Sequence, residues 1–67
     1  MNYVSRHPIT NVYVYENGIL IKTYRGRFRF DEPPSGSLIL HDDENHIRYV
    51  IRPKGTVLTE TYFNDKS

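Results

Sequence analysis

Apolar and polar positions alternate along this chain with a period of two, the spacing that sends successive side chains to opposite faces of a strand. Residues 10–16 set Val12 and Val14 against Tyr13 and Tyr15. Asn17-Gly18 follows, a pair suited to a type I′ turn because both central residues there take positive φ. A two-residue turn pairs Glu16 with Ile19, Tyr15 with Leu20 and Val14 with Ile21. Val12, Val14, Ile19 and Ile21 then share one face, and Tyr13, Tyr15 and Leu20 the other.

The second strand is expected to run from Ile19 to Phe30, long for a small domain. Its apolar parity changes on the way: Ile19 and Ile21 are odd, whereas Tyr24, Phe28 and Phe30 are even. A strand changes faces only through a bend or bulge, expected at Gly26 or just before it. Asp31 to Gly36 is a loop, since Pro33-Pro34 and Ser35-Gly36 do not continue a ladder. Strands at Ser37–His41 and His46–Arg52 flank Asp42-Asp43-Glu44-Asn45, with His41 opposite His46, Leu40 opposite Ile47 and Leu38 opposite Tyr49. Pro53-Lys54-Gly55 makes the next reversal in a loop of about three to five residues, because proline is excluded from the positive φ of a tight primed turn. Thr56–Phe63 is the last strand. The chain reads as one small β-domain over residues 1–67, with an N-terminal arm at 1–9 and a polar tail at 64–67.

Composition agrees. Alanine and cysteine are absent, and Tyr, Ile, Val, Thr and Phe dominate the apolar set, which is strand chemistry. At 67 residues there is room for one domain, and a chain this short buries only about 60% of its unfolded surface. No disulfide or thiolate metal site is available to add stability, so metal at other ligands, a well-packed sheet or self-association must supply it. No apolar run approaches a membrane span, and the start does not read as a signal peptide, so a cytoplasmic protein without membrane contact is expected.

The formal charge of +1 hides an uneven distribution. Lys22, Arg25, Arg27 and Arg29 occur with no acid between them, while Asp42, Asp43 and Glu44 sit together. At strand spacing the three arginines point one way, about 6.6 Å apart, and Tyr24, Phe28 and Phe30 point the other. Such a comb suits a single-stranded nucleic-acid backbone, and arginine gives bidentate phosphate contacts. Lys22, Arg52 and Lys54 are the candidates to extend that basic patch. Tyr24, and Tyr13 and Tyr15 opposite the valine face, offer rings for stacking or for anchoring a partner. The same pattern also describes a site for an acidic protein surface, or a solvated strand face whose charges discourage edge pairing.

His41 and His46, paired across a turn of acids, would stand close enough to share a divalent ion; an ordinary polar hairpin tip has the same composition. A Ser35, His41, Asp42 set lacks a nucleophile elbow, and adjacent Asp31 and Glu32 point apart in an extended chain. No enzyme and no cofactor are expected.

Five strands with short connections and one bent strand predict a small five-stranded antiparallel barrel, SH3-like or Sm-like; an open antiparallel sheet dimerising through an edge is the alternative. From Gly26 onward the chain resembles the Sm family. Gly26, Phe28, Phe30 and Asp31, then Ser37-Leu38-Ile39-Leu40 with Asp42 and Asp43, are similar to its first motif. Ile51-Arg52 and Gly55-Thr56-Val57-Leu58 are similar to its second, although Pro53 and Lys54 intervene. The resemblance implies RNA contacts at Arg52 and near Ser37, and a ring-shaped oligomer. The favoured expectation is a non-catalytic module binding RNA or single-stranded DNA through the basic strand. The alternatives are a protein-interaction module, such as a small regulator or inhibitor of the kind carried by viruses and mobile elements, and a self-associating structural subunit, hence a possible homo-oligomer.

Overall fold

The protein is described by a computed structural model over residues 7–63, which form six strands and no helix. These are β1 (Ile9–Glu16), β2 (Ile19–Arg27), β3 (Arg29–Asp31), β4 (Leu38–Asp42), β5 (Ile47–Ile51) and β6 (Val57–Tyr62). They make two three-stranded antiparallel sheets, ordered β2-β1-β6 and β3-β4-β5. The tail at 64–67 and residues 1–6 of the expected N-terminal arm lie outside the described residues.

The first hairpin turns where expected. Asn17 and Gly18 take φ of 52° and 75°, and Glu16 pairs with Ile19 and Tyr15 with Leu20. The register then shifts between Val14 and Tyr15, so that Val14 faces Lys22 and Ile21 is the extra residue. This bulge supplies the change of parity, upstream of Gly26, which itself stays in the ladder opposite Thr10. One consequence corrects the sequence reading. Val12 and Val14 are buried, but Ile19 and Ile21 remain 66% and 50% exposed: Ile19 keeps its place opposite Glu16 at the hairpin end, and the bulge hands the place of Ile21 opposite Val14 to Lys22 and sets Tyr24 opposite Val12.

The long second strand divides at Phe28, which belongs to neither ladder. Its side chain is 3% exposed and sits across Gly26, where a Cβ would come within 3.1 Å of the ring. The ring meets Tyr49 edge-on at 6.1 Å and Phe30 at 6.2 Å between centroids. Folding this ring inward turns the chain from one sheet into the other, so the bend falls two residues beyond Gly26 and the expected second strand becomes two, which makes six strands of the expected five. Among the described residues no ladder joins the two sheets, so they do not form a closed five-stranded barrel. The core between them is Val12, Val14, Phe28, Leu40 and Ile51, with Tyr24, Leu38, Tyr49 and Val57 packed around it.

The second hairpin keeps its expected faces but not its register. Asp42 pairs with Ile47, His41 with Arg48, and Leu40 with Tyr49. The cause is Asp42, which is buried and accepts from the Asn45 backbone N–H at 3.3 Å and from Asn45 Nδ2 at 2.8 Å. These bonds close the turn over residues 43–46, with His46 in left-handed φ, and pull Asp42 into the strand.

The connection over residues 52–56 does not return the chain to β5. It crosses to the other sheet, where β6 pairs with β1. Tyr15 and Thr56 exchange both backbone bonds, at 2.8 and 3.1 Å. Gly55 passes so near the Tyr15 carbonyl that no Cβ fits there.

Candidate interaction face

The alternation of β1 sends Thr10, Val12 and Val14 inward and leaves Asn11, Tyr13 and Tyr15 on the outer face of the first sheet. Register places Arg25 beside Asn11 from β2, and Leu58, Glu60 and Tyr62 beside Tyr13, Asn11 and Ile9 from β6. Asn11 lies at the centre and is buried, with every side-chain group engaged. Its Oδ1 accepts from Arg25 Nη1 at 3.0 Å, and its Nδ2 donates to Tyr62 Oη at 3.0 Å and Glu60 Oε1 at 3.2 Å. Tyr62 and Tyr13 donate to the same carboxylate oxygen at 2.7 and 3.0 Å. The Arg25 guanidinium lies over the Tyr62 ring, 5.4 Å from its centroid, a cation–π contact. A single hydrogen-bonded network thus holds two tyrosines and an arginine in fixed orientations on an open sheet surface.

The bonding shifts two acidities. The hydroxyl of Tyr62, then Asn11 and Tyr13, hold the Glu60 carboxyl below its ordinary value. The Glu60 carboxylate in turn raises the phenol of Tyr13 above its ordinary value. Because the Glu60 pKa is depressed in the folded state, its contribution is complete above pH 4.5, the ordinary glutamate value, and is lost as pH falls through the folded value. Asp43, lowered first by its hydrogen bond from Arg29, behaves in the same sense. Acid titration is therefore expected to loosen the outer network, and Glu60→Gln to flatten that acid limb. Backbone amide shifts of Asn11, Tyr13 and Glu60 followed from neutral to acidic pH check this.

The arginine comb keeps its alternation through the bend at Phe28, with Tyr24, Phe28 and Phe30 inward, but its members do different things. Arg25 is held by Asn11 and Tyr62; Arg27 Nη1 donates to the His7 carbonyl at 3.0 Å. Arg29 has crossed into the second sheet, where its Nε and Nη2 donate to the two oxygens of Asp43 at 3.1 and 3.3 Å. Lys22 falls on the opposite parity and leans over the Tyr24 ring at 5.6 Å, so it does not extend the stripe. Lys54 lines a shallow depression with Tyr15, Asn17, Gly18 and Leu58, at the hairpin end of the sheet, whereas Arg27 pairs with Ile9 at the other end. Arg52 is exposed after β5, and Ser37 is buried.

The ladder places His41 opposite Arg29 and Arg48, not His46, so the face-to-face histidine pair expected for an ion is not formed. Among the described residues no group of three or more metal-type side chains gathers. Arg48, Asn11, Glu60 and Tyr62 escaped the sequence reading. Alternation within β6 puts Leu58, Glu60 and Tyr62 on one face, but nothing local says that face adjoins Asn11.

Two stacked antiparallel three-stranded sheets with an ordered polar network on one outer face define a small all-β protein. Comparison with protein-family models, with curated proteins and with solved structures finds no match to this chain. Among the described residues no helix is long and apolar enough to cross a membrane.

Proposed function

We propose that this chain is a non-catalytic protein-interaction module, and that the outer face of the β2-β1-β6 sheet receives the partner. The observation that carries this is the network around Asn11, which presents Arg25, Tyr13 and Tyr62 pre-oriented beside exposed Leu20 and Leu58. Tyrosine and arginine are the side chains that most often anchor protein interfaces, and fixing them before binding reduces the entropy lost on association. Charge points the same way. Two of the three comb arginines already have a carboxylate close by, Arg25 with Glu60 and Arg29 with Asp43, which weakens the stripe as a phosphate track.

Binding of single-stranded nucleic acid is the second reading, favoured by one observation. Arg48 lies in register with His41 and Arg29, so two arginines flank His41 across the second sheet. The Sm resemblance belongs with this reading.

The two separate in one experiment. A stoichiometric complex captured from the native host after nuclease treatment is the expected result, with Arg25→Ala and Tyr62→Ala each weakening it about 30-fold, the effect of losing an anchor worth about 2 kcal/mol. Labelled single-stranded RNA or DNA that binds with a steep salt dependence, abolished by Arg27→Glu, would overturn this assignment in favour of the second.

A further inference from the structure

Four strands end the two sheets, and three of these edges carry features that discourage pairing. β2 has its bulge at Ile21 and the cations Lys22, Arg25 and Arg27; β3 is 3 residues long; β5 carries Arg48 at its second position. β6 has none of these. It reads Val57-Leu58-Thr59-Glu60-Thr61-Tyr62, runs in unbroken register along β1, and contains no lysine, proline or bulge.

The hydrogen-bond phase of that edge follows from one pair. Tyr15 and Thr56 exchange both backbone bonds, so every second pair onward, Tyr13 with Leu58 and Asn11 with Glu60, does the same. The intervening residues Val57, Thr59 and Thr61 therefore aim their N–H and C=O groups away from β1. Among the described residues no strand meets them. Beside this edge, between the sheets, opens a cleft of about 420 Å³ bounded by Phe30, Leu38, Val57 and Thr59.

We propose that the occupant of this edge is a second copy of the chain, with β6 pairing antiparallel to its own counterpart about a two-fold axis. The axis direction preserves faces, so each residue must pair with one of its own parity. Two registers give nearly full overlap. Centring on Glu60 sets two carboxylates opposite each other at about 4.5 Å between Cα atoms, which like charges oppose. Centring on Thr59 instead sets Thr59 against its copy, Val57 against Thr61 of the second copy, and Leu58 against Glu60 of the second copy. That register satisfies the outward backbone groups of Val57, Thr59 and Thr61 on both chains. It also turns the added strand's inner side chains toward the open cleft. The result is a continuous six-stranded sheet whose two outer networks lie side by side, a geometry independent of what those networks bind.

Sedimentation and cross-linking test this together. The wild-type chain should pass with concentration from 7.9 kDa to twice that mass. Thr59→Pro should stay monomeric yet folded, since it removes an outward N–H and no bond to β1. The chain has no cysteine, so single-cysteine variants are unambiguous. Residues opposed in a hydrogen-bonded pair stand about 5.5 Å apart at Cα, within disulfide reach. Thr59→Cys should therefore oxidise to a covalent dimer, and Glu60→Cys should not. A wild-type chain monomeric at its highest soluble concentration overturns the proposal. So does Glu60→Cys cross-linking in preference to Thr59→Cys, a comparison that decides the matter even if Thr59→Pro fails to fold.

Discussion

Phe28→Ala is expected to leave the protein with at most about 2 kcal/mol of stability at room temperature. Among the described residues Phe28 is one of five buried apolar side chains and the only one of them that belongs to no strand, filling the space where the chain leaves one sheet for the other. Its ring touches the second sheet through Tyr49 and lies across Gly26 of the first, so truncation removes contacts on both sides at once. Burying and cavity terms for a phenylalanine amount to about 3–5 kcal/mol. A domain of this size has a total stability near the lower end of the usual range, about 5 kcal/mol. Urea unfolding followed by circular dichroism reads the result. Phe30→Ala is the comparison: Phe30 is neighbouring and aromatic but 41% exposed, so its loss should move the midpoint far less. Equal midpoints for Phe28→Ala and the wild type would refute a core shared between the sheets.

Gly55→Ala is expected to cost about 2–3 kcal/mol, a large effect for one methyl group. A Cβ at Gly55 runs into the carbonyl oxygen of Tyr15 and lies 3.2 Å from the Cα of Glu16. Both obstacles are backbone, so neither escapes by changing rotamer, and β6 must back away from β1. The first bonds to break are those between Tyr15 and Thr56, and the amides of these two residues should exchange with solvent much faster than in the wild type. Lys54→Ala, next along and exposed, should leave both midpoint and exchange unchanged. A Gly55→Ala variant as stable as the wild type would mean that the 52–56 connection does not press against the first hairpin.

These two positions also mark how far local patterning carries. The alternation of Val12 and Val14 with Tyr13 and Tyr15 located β1 and separated its two faces, and Asn17-Gly18 located the turn, because both effects act between residues a few places apart; which face is buried was decided by the fold. The need for a parity change in the second strand was equally visible in the odd Ile19 and Ile21 against the even Tyr24 and Phe28. Where it happens was not. The bulge sets Tyr24 on the inner face opposite Val12, where its ring meets Tyr49 at 4.9 Å, a contact that no local pattern shows. In the second hairpin the apolar pattern fits two registers of equal parity, and the bonds from Asn45 to Asp42 selected between them.

The outer face shows the same division. That Arg25 and Arg27 point away from Phe28 follows from strand periodicity and needs no fold. That Arg25 rests on Tyr62, or that Asn11 joins Glu60, depends on β6 pairing with β1 across 51 and 49 residues of chain. The sequence by itself determined the all-β character, the turn of the first hairpin, the alternation along β1 and the need for a change of parity in the second strand, because each is set by backbone geometry and near neighbours. Only the tertiary structure decided which strands pair, where the sheets remain open and which side chains meet. Those outcomes depend on long-range closure, whose contacts leave no periodic trace in the order of residues.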